Sequence, residues 1–287
     1  MTITEYLRSR SAGDAAVEKL LSEITAFQER TATRMAGILS ELEIEGGMLV
    51  ASEANMARLS SVINELESGF ADEKWQKAVG EYLASFTELE AGLTAYAEGF
   101  GTLDTGLLTV LKQQYQTISA NYLLDATSFT RTLQQPIMQE VGASIASGGR
   151  YRDLVQSVSN IVTGGDDSDG ALLGNARTAV NDLVSIYERT ATKAAADSVG
   201  AEFFFFTGPK LDSSRKWCLE RKGKYWHKKE IESWGNTTWE GQIPGTNKVT
   251  IFSLVGGYGC TDVLVPVARR DVPKADLERM RSKGYID

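Results

Sequence analysis

Glu202-Phe203-Phe204-Phe205-Phe206-Thr207-Gly208-Pro209 is the stretch that decides the fold class. Upstream of it apolar residues recur at helical spacing; within it a short aromatic run is closed by a Gly-Pro turn signal, the pattern of a buried strand. Two later runs read the same way. Val249-Thr250-Ile251-Phe252-Ser253-Leu254-Val255 ends at Gly256-Gly257, and Leu264-Val265-Pro266-Val267 is placed at a sheet edge because proline cannot donate to a ladder. Immediately before the aromatic run, Leu172 to Val199 is a helix. Ala176, Val180, Leu183, Tyr187, Ala191 and Ala194 share one face, and Gly200 is its stop.

Further upstream the helical period is nearly unbroken. One series starts near Gly13 (Val17, Leu20, Leu21, Ile24, Phe27, Met35, Ile38, Leu39, Leu42) and is interrupted at Gly46-Gly47. A second runs from Met56 through Leu59, Ile63 and Leu66 to Gly69-Phe70, and a third from Trp75 to Tyr96. The fourth leads from Leu108 through Leu133 into Pro136, the first proline, after which come shorter helices, Ile137 to Ile145 and Tyr151 to Val162. A proline inside a helix costs about 3 kcal/mol, so its absence before Pro136 suits long helices. The expected fold is α+β, a long N-terminal helical bundle or set of hairpins followed by a small α+β C-terminal domain. The expected boundaries are 1–135, 136–200 and 201–287.

Composition sharpens this division. The chain has 287 residues and a net charge of −8, yet its one His, both Cys, four of five Trp and four of five Pro lie beyond residue 200. Segment charges of −9 (1–120), −4 (121–204) and +5 (205–287) make a DNA-coating role for the first part unfavourable, since such binding rests on neutralising phosphates. The basic C-terminal segment could make weak DNA contact or meet an acidic partner, although a solvated surface explains it as well. The start carries no basic segment followed by an apolar one, and no run reaches the ~18 apolar residues a spanning helix needs. A soluble protein made in a reducing cytoplasm, without membrane partners, is the expectation; two cysteines make no disulfide framework.

Chemistry-bearing motifs are sparse. There is no phosphate-binding P-loop, no Gly-x-Ser-x-Gly elbow and no His-Glu-x-x-His. His227 sits among Lys224, Lys228 and Lys229, as at an exposed helix start, and no catalytic residue is assigned. A zinc site would draw on Cys218, His227 and Cys260, with Asp212 or Asp262 as a further ligand. Two buried free thiols, or a Cys218–Cys260 bond formed in an oxidising medium, are the other readings of the cysteines. The loop Gly164-Gly165-Asp166-Asp167-Ser168-Asp169-Gly170 fails as a calcium loop, because Gly165 and Ala176 fall where the first carboxylate and the closing glutamate belong. In the segment Thr207 to Trp226, Asp212 can cap the following turn while pairing with Arg215, and Gly223 suits a tight turn into Lys224-Tyr225-Trp226. Trp217, Trp226, Trp234 and Trp239 read as core.

The order of these features resembles one family. A helix to Gly200, the aromatic strand, Asp212-Ser-Ser-Arg215-x-x-Cys218, Gly223-Lys-Tyr-Trp226, then Gly256-Gly257-Tyr-Gly-Cys260 and Leu264-Val-Pro266-Val267 are similar to the C-terminal domain of the Mu F-like phage head morphogenesis, or minor head protein, family. The likeness covers roughly 136–267. Arg221, and Thr261-Asp262 after Cys260, stand where fuller members carry further cysteine or histidine. The resemblance implies a structural, non-enzymatic virion component of a tailed bacteriophage. It would lie inside the head near the portal, made in the host cytoplasm, and act in head assembly or DNA delivery. Its partners would be portal or capsid proteins, with a homo-oligomer left open. The alternatives are an internal virion protein ejected with the DNA, and an enzyme or toxin such as an ADP-ribosyltransferase, for which no persuasive residue set is found and no room remains after the Pro-Val strand.

Overall fold

The computed structural model describes residues 1–62, 64, 73–124, 126–165 and 168–287. The helical expectation for Ile63, Leu66, Gly69 and Phe70, and the loop residues Asp166 and Asp167, lie outside the described residues. In chain order the elements are α1 (Ile3–Ser9), α2 (Ser11–Leu39), β1 (Ile44–Glu45), β2 (Met48–Leu49), α3 (Glu53–Ala57), α4 (Glu73–Ala97), α5 (Thr105–Leu124) and α6 (Ala126–Ser147). They continue with α7 (Tyr151–Thr163), α8 (Ala171–Ser198), β3 (Phe203–Thr207), α9 (Lys216–Arg221), β4 (Lys224–His227), α10 (Lys228–Trp234), α11 (Ile251–Leu254), β5 (Val263–Val267) and α12 (Lys274–Ser282). This is an α+β architecture with its helical bulk at the N-terminal side. Among the described residues no helix is long and apolar enough to cross a membrane.

Two compact units emerge, each discontinuous in sequence: Met1–Ala15 with Ala84–Thr117 and Thr178–Asp287, and Ala16–Leu83 with Ile118–Arg177. Among its described residues the second unit is built of helices and the β1–β2 hairpin with their connecting loops, the hairpin turned by Gly46 and Gly47 at φ +58° and +82°. Asn55 fastens that hairpin, accepting from the Glu43 N–H and donating to the carbonyls of Glu43 and Val50. Leu20, Ile24, Phe27 and Met35 of α2 are buried, as are Trp75, Val79 and Tyr82 of α4, in the positions the helical period assigns to the core. Met56, read as an apolar-face residue, is instead exposed on the five-residue α3.

Pro136 departs from the expectation that it ends a helix. It lies inside α6, which continues to Ser147. Leu133, Ile137, Val141 and Ile145 are all buried on one stripe of that helix. Burying four such side chains contributes roughly 6–12 kcal/mol, more than the hydrogen bond the proline removes.

The first unit contains the three-stranded antiparallel sheet, in the order β4-β3-β5. The four phenylalanines of β3 alternate across it. Phe204 and Phe206 join Cys218, Trp226, Ile231, Trp234, Ile251, Phe252, Val255 and Leu264, while Phe203 and Phe205 face Val267, Val272, Leu277 and Met280. A strand apolar on both faces needs cover on both and neighbours on both edges, and the central position of β3 supplies these. Pro266 lies on the edge strand β5, opposite Phe204, and its carbonyl accepts from the Tyr96 hydroxyl at 2.7 Å. The outer face is closed by α12; its Arg279 and Lys283, the residue that caps its C-terminus, both pair with the buried Glu230 at 2.9 and 2.7 Å.

The expected strand at Val249–Val255 does not form. Val249 is 82% exposed, and Ile251–Leu254 is the short helix α11. Asn247 accounts for the difference: its Oδ1 accepts from the backbone of Val249 and Thr250, while the Thr250 hydroxyl accepts from Asn247 N–H. These local bonds occupy the backbone groups that a strand would have offered to a neighbour.

Candidate functional site

The segment Gly256–Asp262, which leads into β5, is held by three arginines. Arg215, just before α9, donates to the carbonyls of Gly256 (3.1 Å) and Tyr258 (2.8 Å). Arg189, from the middle of α8, donates to the carbonyls of Asp262 (2.8 Å) and Cys260. Arg10, just after α1, reaches the Thr261 carbonyl at 3.2 Å. Arg10 in turn pairs with the buried Glu188, and Asp182 accepts from the Gly259 N–H at 2.7 Å. Loop carbonyls that no ladder satisfies are thus paired with fixed cationic donors, the strong class of hydrogen bond.

This clamp brings two cysteines together. Cys218 on α9 and Cys260 in the loop are both buried free thiols, with sulfurs 4.0 Å apart. An Asp262 carboxylate oxygen completes a group whose ligand atoms all lie within 4.8 Å of one another. Lys222 donates to that carboxylate at 2.7 Å and to the Pro209 carbonyl at 2.5 Å. Gly256, at φ +80°, backs the pair: a Cβ there would overlap the Cys260 sulfur. A small cavity of about 40 Å³, lined by Ser213, Ser214, Arg215 and Thr261, opens beside the cluster. The donor set is one that zinc takes.

The two thiols titrate unequally. The hydrogen bond from Cys218, helped by Arg189 and the Asp262 N–H, draws the Cys260 thiol below its ordinary value. The same bond, with burial, pushes Cys218 upward.

Arg215, Cys218, Gly257 and Cys260, four of the residues the motif order singled out, therefore converge. Gly257 is required at φ +87° because a Cβ would overlap the Gly241 carbonyl. Gly223, at φ +77°, makes the turn into β4 and donates to the Phe206 carbonyl at 2.8 Å. Trp226 donates to the Arg221 carbonyl at 3.1 Å and meets Trp234 edge-on at 4.9 Å. The tryptophans form a packed cluster: Trp217 stacks on Trp239 at 4.3 Å, and the Arg221 guanidinium lies 4.0 Å from the Trp217 ring.

Two residues depart from the sequence reading. Asp212 is exposed and does not pair with Arg215, whose donors go to carbonyls; the Ser214 hydroxyl, not Asp212, accepts from the Leu211 N–H. His227 is at a helix start, as expected, but is buried rather than exposed, and it stands apart from the cysteine cluster. Its Nδ1 caps α10 by accepting from the Lys229 N–H at 3.2 Å, and its ring meets Phe203 edge-on. Burial holds its imidazole below the ordinary value. Arg189, Arg10 and Lys222 were not singled out in the sequence. The available signal for the first was a charged pair, Glu188-Arg189, in an otherwise alanine-rich stretch of helix.

No family model matches the chain, and comparison with curated proteins and with solved structures likewise returns no match.

Proposed function

We propose that this chain is a structural minor head protein of a tailed bacteriophage, placed inside the head near the portal and acting in head assembly or DNA delivery. The observation that carries the reading is the convergence of Arg215, Cys218, Gly257 and Cys260 on one clamped loop, since these are residues through which the sequence resembles the Mu F-like family. The arginines around them are committed to backbone carbonyls, which suits a rigid module. A partner surface is available on α5. Leu107 and Val110 are 45% and 49% exposed, beside a groove of about 520 Å³ lined by Leu107, Leu111, Ala194 and Lys193. An apolar groove with a charged rim fits the helix of a portal or capsid protein better than it fits DNA.

Mass spectrometry of purified particles from the virus that encodes the chain tests this reading. The protein is expected in the heads, and a Leu107→Glu/Val110→Glu variant that folds normally is expected to drop out of them. Its absence from particles overturns the assignment; normal incorporation of the double variant overturns the choice of surface.

A further inference from the structure

We propose that Cys218, Cys260 and Asp262 bind one zinc ion, with a water molecule in the adjoining cavity as its fourth ligand. This inference stands independently of the phage reading.

Geometry is the first ground. Tetrahedral zinc with Zn–S bonds of about 2.3 Å sets two thiolate sulfurs about 3.8 Å apart. Cys218 and Cys260 have theirs at 4.0 Å, with the Asp262 oxygen inside the same 4.8 Å cluster. The three side chains are already gathered, so binding requires a contraction of tenths of an ångström and no rearrangement of the backbone.

Charge is the second. Two thiolates and a carboxylate carry three negative charges, and zinc leaves one uncompensated. Lys222, 2.7 Å from the carboxylate and largely buried itself, supplies that compensation and orients the ligand, as outer partners of ligating carboxylates do.

Preorganisation is the third. Arg189 holds the backbone carbonyls of the two loop ligands, Cys260 and Asp262, and Arg10 holds that of Thr261 between them. Gly256 and Gly208 leave no room for a Cβ, which at the one would strike the Cys260 sulfur and at the other the Asp262 carboxylate. The cavity exceeds the ~10–15 Å³ that one water needs, and its hydroxyl lining from Ser213 and Ser214 offers that water partners. Thiolates select a soft or borderline ion over calcium or magnesium. Bound there, zinc would cross-link α9 to the loop before β5.

The test uses the full chain, expressed with zinc, freed of loose metal by gel filtration and assayed by elemental mass spectrometry. One zinc per chain is expected. Cobalt added to the chelator-stripped wild type should give a sulfur-to-cobalt charge-transfer band with the visible bands of a tetrahedral ion, which needs no variant to fold. Cys218→Ser and Cys260→Ser should each abolish that band, and Lys222→Met should weaken zinc binding about tenfold. His227→Asn and Asp212→Asn should retain full zinc. The proposal is overturned if the folded wild type holds no zinc and gives no charge-transfer band, if its mass shows the two cysteines joined, or if His227→Asn loses the metal while folded.

Discussion

Arg189 Nε donates to the Asp262 carbonyl at 2.8 Å, and the other end of the same guanidinium donates to the Cys260 carbonyl. One side chain on α8 thus fixes the backbone on both sides of Thr261, and Arg189 is only 2% exposed. Arg189→Leu should cost about 3 kcal/mol, since two hydrogen bonds from a charged donor are lost at roughly 1.5 kcal/mol each and two buried carbonyls are left unpaired. Arg189→Lys should recover less than half of that, because a point ammonium cannot span both carbonyls. Denaturant midpoints at unchanged slope check this; a loss under 1 kcal/mol for the leucine variant would show that the loop is held by something else.

The adjacent pair makes a prediction of opposite character. Arg10 and Glu188 have side chains only 12% and 8% exposed, and Glu188 lies within 3.4 Å of the Tyr6 hydroxyl. Burial works against the Arg10 charge, but Glu188 beside it more than restores it and raises the guanidinium above its ordinary value. Arg10→Met alone should destabilise by about 3–5 kcal/mol, because it strands a buried carboxylate. Adding Glu188→Met should return most of that loss, as an apolar pair of similar volume often replaces a buried ion pair at little cost. A double variant no more stable than Arg10→Met would contradict this account.

How far these features were legible follows from how local their causes are. The four-phenylalanine strand, the Gly200 stop and the edge placement of Pro266 follow from side chains acting on their own backbone, and all three are read correctly from residues alone. Pro136 and Val249–Val255 are not, because burial on one side and the Asn247 side chain on the other outweigh the local rule. In the site, Cys218, Cys260 and Asp262 could be named as candidate ligands. Choosing among Asp212, His227 and Asp262 required the fold, since which carboxylate meets the sulfurs depends on a chain reversal between α9 and β5. Arg189 and Arg10 were illegible for the same reason: the loop carbonyls of Cys260 and Thr261 that they hold lie 71 and 251 residues away, and a carbonyl carries no sequence signature.

His227 gives a pH dependence with a definite sign. Burial disfavours its imidazolium and outweighs Glu202, Glu230 and Glu232, which favour it, while Lys229 opposes it too. The folded value therefore lies below the ordinary 6.5, so between the two the unfolded chain takes up a proton that the folded chain refuses. Stability from this residue is intact above about pH 6.5 and is lost as pH falls below it. Protonation also removes the Nδ1 acceptor that caps α10. His227→Asn keeps an N-cap acceptor but cannot titrate, so its stability curve should be flatter than the wild type's just below pH 6.5. Parallel curves for the two proteins over that range would refute the assignment.

Pro136 offers a stabilising substitution. Its own side chain is exposed while Leu133 and Ile137 flank it in the buried stripe of α6, so the ring contributes little packing where it interrupts the helix. Pro136→Ala restores a backbone donor and a strong helix former, a gain of up to about 3 kcal/mol, reduced by about 1 kcal/mol for the added freedom of the unfolded chain. The expected net is a more stable protein by roughly 1–2 kcal/mol, read as a rise of a few degrees in Tm for a chain of this size. An unchanged or lowered Tm would mean that a bend introduced by the proline fits α6 to its neighbours, and that straightening the helix costs as much packing as the new hydrogen bond returns.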